Sequence, residues 1–418
     1  MIKYLIQVIQ YSLTPAILAA LMFGFACKDS GGRGKKYFAA GTLAGAACAF
    51  ILAVLRRVTV RLINREYINI VILSAAVVAG ILFIIFLWKT RREESSARSE
   101  KIFNFVSVLL PGLLFFYALP TIFLYPTEFV LPGESVFSTD FLFKLAGYAS
   151  GLFAVFLIAL ALFKVASSLS AGLVRVLITI GITVNVVNEI AAVAQFLLAR
   201  RLVSLPRRIF RVVILTINYN DFFLYALMAL TFLLPVFLYI KSLHPRESWA
   251  NPAQHRKIRA AMRGRKRWSA GVIAGYVFAV LSLTALKAWN EREVVLSPAE
   301  PMTIRDGEIV IPIETVQDRR LHRYNYTASD ATQMRFIIIR KSEAAYGVGL
   351  DACDICGPTG YYEREEQVIC KLCDVVMNIS TIGFKGGCNP VPLAYTLREG
   401  NLVIDTVNLE NEKSRFRQ

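Results

Sequence analysis

Histidine is scarce in this chain, with three residues in 418, at His244, His255 and His322. None lies in a long apolar run, which excludes a haem held by paired histidines across a bilayer. Charge is scarce as well. Charged residues make up 18% of the chain and hydrophobic ones 56%, where a typical soluble domain carries about 25% charged residues. That balance excludes an ordinary water-soluble globule. A glycine-rich phosphate loop, a nucleotide fingerprint and a serine–histidine–acid arrangement are all missing, so nothing points to nucleotide chemistry or acyl transfer.

What is present is apolar length. Eight segments reach the roughly 20 residues that a membrane-crossing helix needs. They lie near 4–26, 37–55, 67–88, 102–125, 141–163, 172–198, 212–240 and 269–289. The first has too long an apolar run, and too few basic residues, to read as a cleaved signal. The seventh is long enough to begin at the interface and enter the membrane near Asp221.

A net charge of +17 raises the question of nucleic acid, and its distribution answers it. Residues 290–418 hold 15 Lys+Arg against 19 Asp+Glu, a net of −4. The positive excess therefore sits in and between the apolar segments, as in loops that face anionic lipid, and no nucleic-acid partner is expected. Residues 241–267 carry nine Lys/Arg and one acid, Glu247, which makes them the strongest cytoplasmic loop. The loops at 28–36 and 89–101 are also basic, and 127–140 has no Lys or Arg. Eight spans with the N-terminus outside satisfy all four loops, and they place residues 290–418 outside the cytoplasm. Two arginine-rich stretches, 56–66 and 200–211, oppose this topology. Each precedes a similar motif, Ile63-Asn64-Arg65-Glu66-Tyr67 and Ile217-Asn218-Tyr219-Asn220-Asp221. The likeness raises a 4+4 repeat of residues 1–135 and 136–289, with both stretches interfacial or re-entrant at one face; chance similarity is the competing reading.

Beyond 289 the texture changes to short alternating runs punctuated by Pro, Gly and Asp. Strands are expected over 308–313, 322–327, 335–340, 346–351 and 402–407, followed by a polar, mobile tail over 410–418. The fold class is thus a polytopic α-helical membrane bundle over 1–289, plus a small β-rich four-cysteine domain over 290–418.

Five of the seven cysteines fall in that domain. Cys353-Asp-Ile-Cys356 and Cys370-Lys-Leu-Cys373 are CxxC turns separated by 13 residues. Each such turn aims two sulfurs at one ion while its N–H groups bond them, so a pair makes a sulfur site for zinc, a single iron or an Fe–S cluster. Disulfides are the alternative in an oxidising compartment, but a bridge inside one CxxC is strained and staples almost nothing. Cys388, in Gly386-Gly387-Cys388-Asn389-Pro390, is a candidate fifth or replacement ligand or redox partner, against the plainer reading of a buried thiol. His322 is the domain's one histidine and a weaker ligand candidate, since a lone strand histidine is more often a structural hydrogen-bonder.

At these residues a family resemblance emerges. The run Asp351-Ala352-Cys353-Asp354-Ile355-Cys356-Gly357-Pro358-Thr359-Gly360-Tyr361-Tyr362, with Cys370, Cys373, Asn378, Ile382-Gly383 and Gly386-Gly387-Cys388-Asn389-Pro390, resembles the bacterial membrane Fe–S-containing proteins called FtrD-like. The resemblance is specific over about 322–393 and extends to the spans only through helical architecture. It implies an iron or Fe–S centre on Cys353, Cys356, Cys370 and Cys373, with Cys388 as a further motif residue. It also implies a place in the bacterial cytoplasmic membrane beside an iron permease and extracytoplasmic iron-binding proteins. The implied role is electron handling during iron uptake, without catalysis of its own. The apolar runs lack the Arg-Glu-x-x-Glu pattern of an oxidase-coupled iron permease, so the bundle is not read as that permease.

The span at 172–198 is the least apolar of the eight. Asn185, Asn188, Glu189, Ala192 and Gln195 recur at helical steps of three and four, so their polar groups share a face. A carboxylate at membrane depth costs a few kcal/mol on insertion scales, about 3, and must face the bundle interior or a wet cavity. A cation, proton or quinone site at Glu189 competes here with plain interhelical hydrogen bonding. Three functions are open: an iron-uptake electron carrier, a solute or ion transporter working through Glu189, and a zinc-ribbon docking module.

Overall fold

A computed structural model describes residues 1–28, 33–59, 65–89, 96–130, 138–200, 202–203, 206–219, 221–243, 251–290, 295–342, 345–364, 367–373 and 375–417. The chain divides into two compact units, Met1–Glu291 and Arg292–Gln418.

The first unit is helical. Its elements are α1 (Ile2–Ala26), α2 (Arg33–Val58), α3 (Arg65–Lys89), α4 (Ala97–Leu124), α5 (Thr139–Ser168), α6 (Ala171–Ala199), α7 (Arg207–Asn218), α8 (Asp221–Lys241) and α9 (Pro252–Leu281). The last runs on through a wide π-helical turn at Ser282–Leu286 into α10 (Lys287–Asn290). Among the described residues, eight helical segments are long and apolar enough to cross a membrane. The central one is α1, buried along most of its length and packed against α5, α4 and α6. Within lipid, helices gain nothing from burying apolar surface against one another, so close contact depends on small residues. Gly41 and Gly45 of α2 meet the backbone carbonyls of Val108 and Gly112 on α4, and neither position has room for a Cβ. Gly147 of α5 meets the carbonyl of Met1 in the same way.

The seventh span corrects the expected one at 212–240. The stretch is broken into the amphipathic α7, whose sequence gathers its three arginines within one arc of the helical wheel, and α8, which starts at Asp221. A helix with charge along one side is suited to the interface rather than to the hydrocarbon, so membrane entry falls at Asp221, where the sequence placed it. The eighth helix starts well before 269. Asn251 caps it, its side chain accepting from the Gln254 N–H at 2.8 Å, and Pro252 takes the first turn. Residues 29–32, 60–64, 90–95, 131–137, 201, 204–205 and 244–250 lie outside the described residues. With them go His244, much of the loop charge behind the orientation, and parts of both stretches behind the 4+4 repeat.

The second unit is built from three antiparallel sheets. The first orders β1 (Thr303–Arg305), β2 (Glu308–Pro312), β10 (Asn401–Asp405) and β9 (Thr396–Arg398). The second is β3 (His322–Thr327), β4 (Gln333–Arg340) and β5 (Tyr346–Leu350), and the third β6 (Tyr361–Arg364), β7 (Gln367–Cys370) and β8 (Val376–Met377). Strand β4 is covered on both faces, which explains its unbroken Phe336-Ile337-Ile338-Ile339 run. Phe336 and Ile338 enter a core with Ile309, Val348 and Leu402, while Ile337 and Ile339 enter a second with Cys353, Tyr361, Val368 and Cys370. The period-two alternation thus divides one strand between the structural core and the cysteine site.

Two expectations are corrected at the C-terminus. Strand β10 stops at Asp405, whose carboxylate accepts from the Val407 N–H at 2.9 Å and caps α11 (Thr406–Asn411). The tail, expected to be mobile from 410, is docked. Leu409 and Phe416 are buried in the first core, and Glu410 accepts from Tyr326 Oη, Ser329 N and Ser329 Oγ at 2.8–2.9 Å. Two apolar anchors and one carboxylate suffice to fix a segment whose composition is otherwise polar.

Candidate metal centre

The cysteine site grows from strand ends. Strand β5 runs directly into Asp351-Ala352-Cys353, so the first CxxC turn leaves the middle of the domain. Gly357 closes it: Cys353 N–H donates to Gly357 O at 3.2 Å and Gly357 N–H to Cys353 O at 3.1 Å, with Gly357 at φ +65°. Positive φ at that exit is the freedom glycine supplies. The second turn follows β7, and the β6–β7 register sets Tyr361 opposite Cys370. That hairpin carries the second turn back to the first.

One buried carboxylate anchors the arrangement. Asp351 is fully buried and accepts from Arg323 Nε and Arg335 Nε at 3.0 Å and from Tyr361 N–H at 2.8 Å. Arg323, itself almost fully buried, also donates to Ser297 and to the Tyr361 carbonyl. A buried charge is tolerable only when paired and fully hydrogen-bonded, and here every partner lies at the base of the two cysteine turns.

Above that base the sulfurs converge. Cys353, Cys356 and Cys388 form one group with all sulfurs within 4.8 Å of one another, and Cys356, Cys370 and Cys373 form another. Cys356 belongs to both, and Cys373 Sγ lies 3.8 Å from Cys388 Sγ. That spacing is far above a disulfide bond of about 2.05 Å. It matches the edge of a sulfur tetrahedron around an ion at about 2.3 Å, roughly 3.8 Å. All five cysteines are free thiols. Cys388 reaches its place through the Gly386-Gly387 turn, and its carbonyl accepts from Tyr361 Oη at 2.6 Å.

The electrostatics set the thiols apart from one another. Burial works against the Cys353 thiolate, yet N–H groups of Cys356 and Ile355 and the Tyr361 hydroxyl outweigh it and hold the thiol below its usual range. Burial pushes Cys356 up, and hydrogen bonds with Cys373 and Cys370 push it further. Cys370 is raised, by burial first, despite N–H donors from Cys373 and Leu372. One thiolate is favoured and its neighbours are suppressed, as for any like charges sharing a small site. A bound cation relieves that crowding, so the donor set fits a metal or an Fe–S cluster.

His322 takes a different place. Its Nδ1 lies 2.9 Å from Glu300 and its Nε2 2.7 Å from Asp318, so both ring nitrogens are occupied by carboxylates and it belongs to neither sulfur group. In the bundle, Asn185 Nδ2 donates to Glu189 Oε1 at 2.9 Å, and both residues line a cavity with Asn188. Sequence reasoning gave no role to Asp351, Arg323, Arg335 or Tyr361, although Asp351 and Tyr361 stood inside the quoted motif. It also passed over Gln10, whose side chain donates to Asp221 at 2.8 Å.

The fold and site define a multi-pass membrane protein whose second unit carries a cysteine cluster of metal-binding geometry. Residues 316–416 match the family described as membrane iron-sulfur containing protein FtrD-like. No curated protein and no solved structure matches the chain.

Proposed function

We propose that the chain is the membrane-anchored iron or Fe–S component of a bacterial iron-uptake system, and that it passes electrons rather than catalysing a reaction. The carrying observation is that the two CxxC turns and Cys388 form two sulfur groups joined through Cys356. The family description over 316–416 supports iron over zinc. On this reading Cys353, Cys356, Cys370 and Cys373 hold the centre, and Cys388 stands by as a fifth thiol. An iron centre on thiolates supplies one-electron chemistry when bound.

The chain's own residues supply the setting. Backbone N–H groups of Ile355, Cys356, Leu372 and Cys373 donate to the sulfurs of Cys353 and Cys370, which stabilises the thiolate form. Cys353 and Cys370 are buried while Cys373 is exposed, so the centre has a sheltered inner side and an edge open to a partner. The loop charges favour an extracytoplasmic location for this unit in the cytoplasmic membrane. Its partners on this reading are an iron permease and extracytoplasmic iron-binding proteins. A second reading, ion or solute transport through the bundle, rests on the cavity at Glu189.

The test is metal and acid-labile sulfide content, with a visible spectrum, on the full-length protein purified without oxygen. Iron with absorption that bleaches on reduction is the expected result, and both Cys353→Ser and Cys370→Ser should lose it. A colourless protein holding zinc alone would overturn the electron-transfer reading and leave a docking module.

A further inference from the structure

Helices α1, α3, α4, α6, α7 and α8 surround a cavity of about 350 Å3 inside the membrane unit. Its polar lining comes mainly from α6, with Gln10 of α1, Thr216 of α7 and Asp221 of α8. Glu189 is only 6% exposed; its Oε1 accepts from Asn185, and its Oε2 has no partner among the described residues. Glu189 lies ten residues before the end of α6, roughly 15 Å along the helix axis, and so well within the span. A buried acceptor left without a donor costs about 1–3 kcal/mol, which makes it a place where a ligand's donor is needed.

Charge, size and wall chemistry together select the ligand. Among the described lining residues the acids are Glu189 and Asp221, and Asp221 is already neutralised by Lys287 at 2.8 Å. One remaining carboxylate is a poor match for a divalent cation, which gathers six or more oxygen ligands, several of them from carboxylates. The volume is also that of about twelve waters at about 30 Å3 each, which is the scale of a substituted ring. The rest of the lining is apolar and aromatic, formed by Tyr11, Leu73, Leu114, Tyr117, Phe196 and Leu224. Tyr11 and Tyr117 are half-exposed on their spans, so the cavity is open at its rim.

We propose that this cavity binds a membrane quinol, its ring against the aromatic wall and one ring hydroxyl donating to Oε2 of Glu189. The site belongs to the helical unit alone, so the inference stands or falls apart from the iron reading.

The test is titration of full-length protein in lipid nanodiscs with the short-tailed probe decylubiquinol, under anaerobic reducing conditions, with empty nanodiscs as the partition control. Saturable binding with one site per chain is expected. Glu189→Gln should weaken it at least tenfold, and Ala192→Phe, which fills the cavity, should abolish it. Thermal unfolding of each variant is recorded alongside, and where one variant fails to fold the other decides. Uptake no greater than that of empty nanodiscs overturns the proposal, as does equal affinity in a folded Glu189→Gln or Ala192→Phe variant. Saturable binding of sodium ion that depends on Glu189, without quinol binding, overturns it in favour of an ion site.

Discussion

Each unit of this protein buries a carboxylate, and the two are treated in opposite ways. Asp351 has donors from two arginines and a backbone amide, and no solvent exposure. Glu189 has one oxygen on Asn185, and its other oxygen, in the cavity lining, has no hydrogen-bond partner among the described residues. Both sites are buried, so burial alone does not distinguish structure from function. Satisfaction does. A fully paired acid has spent its interactions on holding the chain together, while a half-paired one keeps an interaction in reserve for something absent.

The sharpest way to break that contrast is Asp351→Ala. It leaves Arg323 buried without its charge partner and frees the Tyr361 N–H at the foot of both cysteine turns. Removing one member of a buried pair costs about 3–5 kcal/mol, so the second unit should lose most of its stability, and metal content should fall with it. Thermal unfolding and metal analysis of the full-length variant check this. An unfolding temperature within a degree of the parent, with metal retained, would show that the anchor is not one.

A third acid tests whether full pairing matters away from the core. Glu410 lies toward the surface, with Ser329 N–H its strongest donor, followed by Lys413, Ser329 Oγ and Tyr326 Oη. These partners pull its pKa from 4.5 down to about 2. A folded-state value below the unfolded one gives stability that is fully present above about 4.5 and is lost as pH falls toward 2. The docked tail should therefore loosen across that window in the parent protein. In Glu410→Gln the tail should already be loosened at neutral pH, with a flatter response to acid. Protease cleavage near 410–417, followed from pH 6 to pH 2, reads both; identical profiles would remove Glu410 as the latch.

These contrasts also mark what could be read in advance. Strands β2, β3, β4 and β5 were legible because each is an apolar-rich run of at least five residues set between turn residues. The eight spans were legible because apolar length is a local property, and the CxxC pairs because metal-ligand spacing is local too. A hairpin joining the two CxxC turns was expected, but its strands β6 and β7 were not placed, because each has only four residues. The close helix contacts carried a signal that went unread, small residues four apart at Gly41 and Gly45 and again at Gly147 and Gly151. The pairings of Asp351 with Arg323, and of Gln10 with Asp221 across 211 positions, leave no local pattern. Only the folded backbone brings them together. The same holds for the state of Glu189. The polar face of α6 was visible at helical spacing, but whether each polar atom finds a partner depends on five other helices.

The mildest expected effect is the most informative for the comparison. Glu189→Gln keeps the size and shape of the side chain and an oxygen that can still accept from Asn185. The atom it alters is Oε2, which has no partner to lose among the described residues. Replacements that break no buried pair and open no cavity fall within about 1 kcal/mol of the parent. Thermal unfolding of the full-length variant in detergent should therefore stay close to wild type, where Asp351→Ala collapses the second unit. A loss as large as that of Asp351→Ala would mean that Glu189 is bound into the bundle through contacts beyond Asn185, and the two carboxylates would then be alike. A small change, set beside a large loss of quinol binding, would separate the acid that holds the protein together from the acid that holds something else.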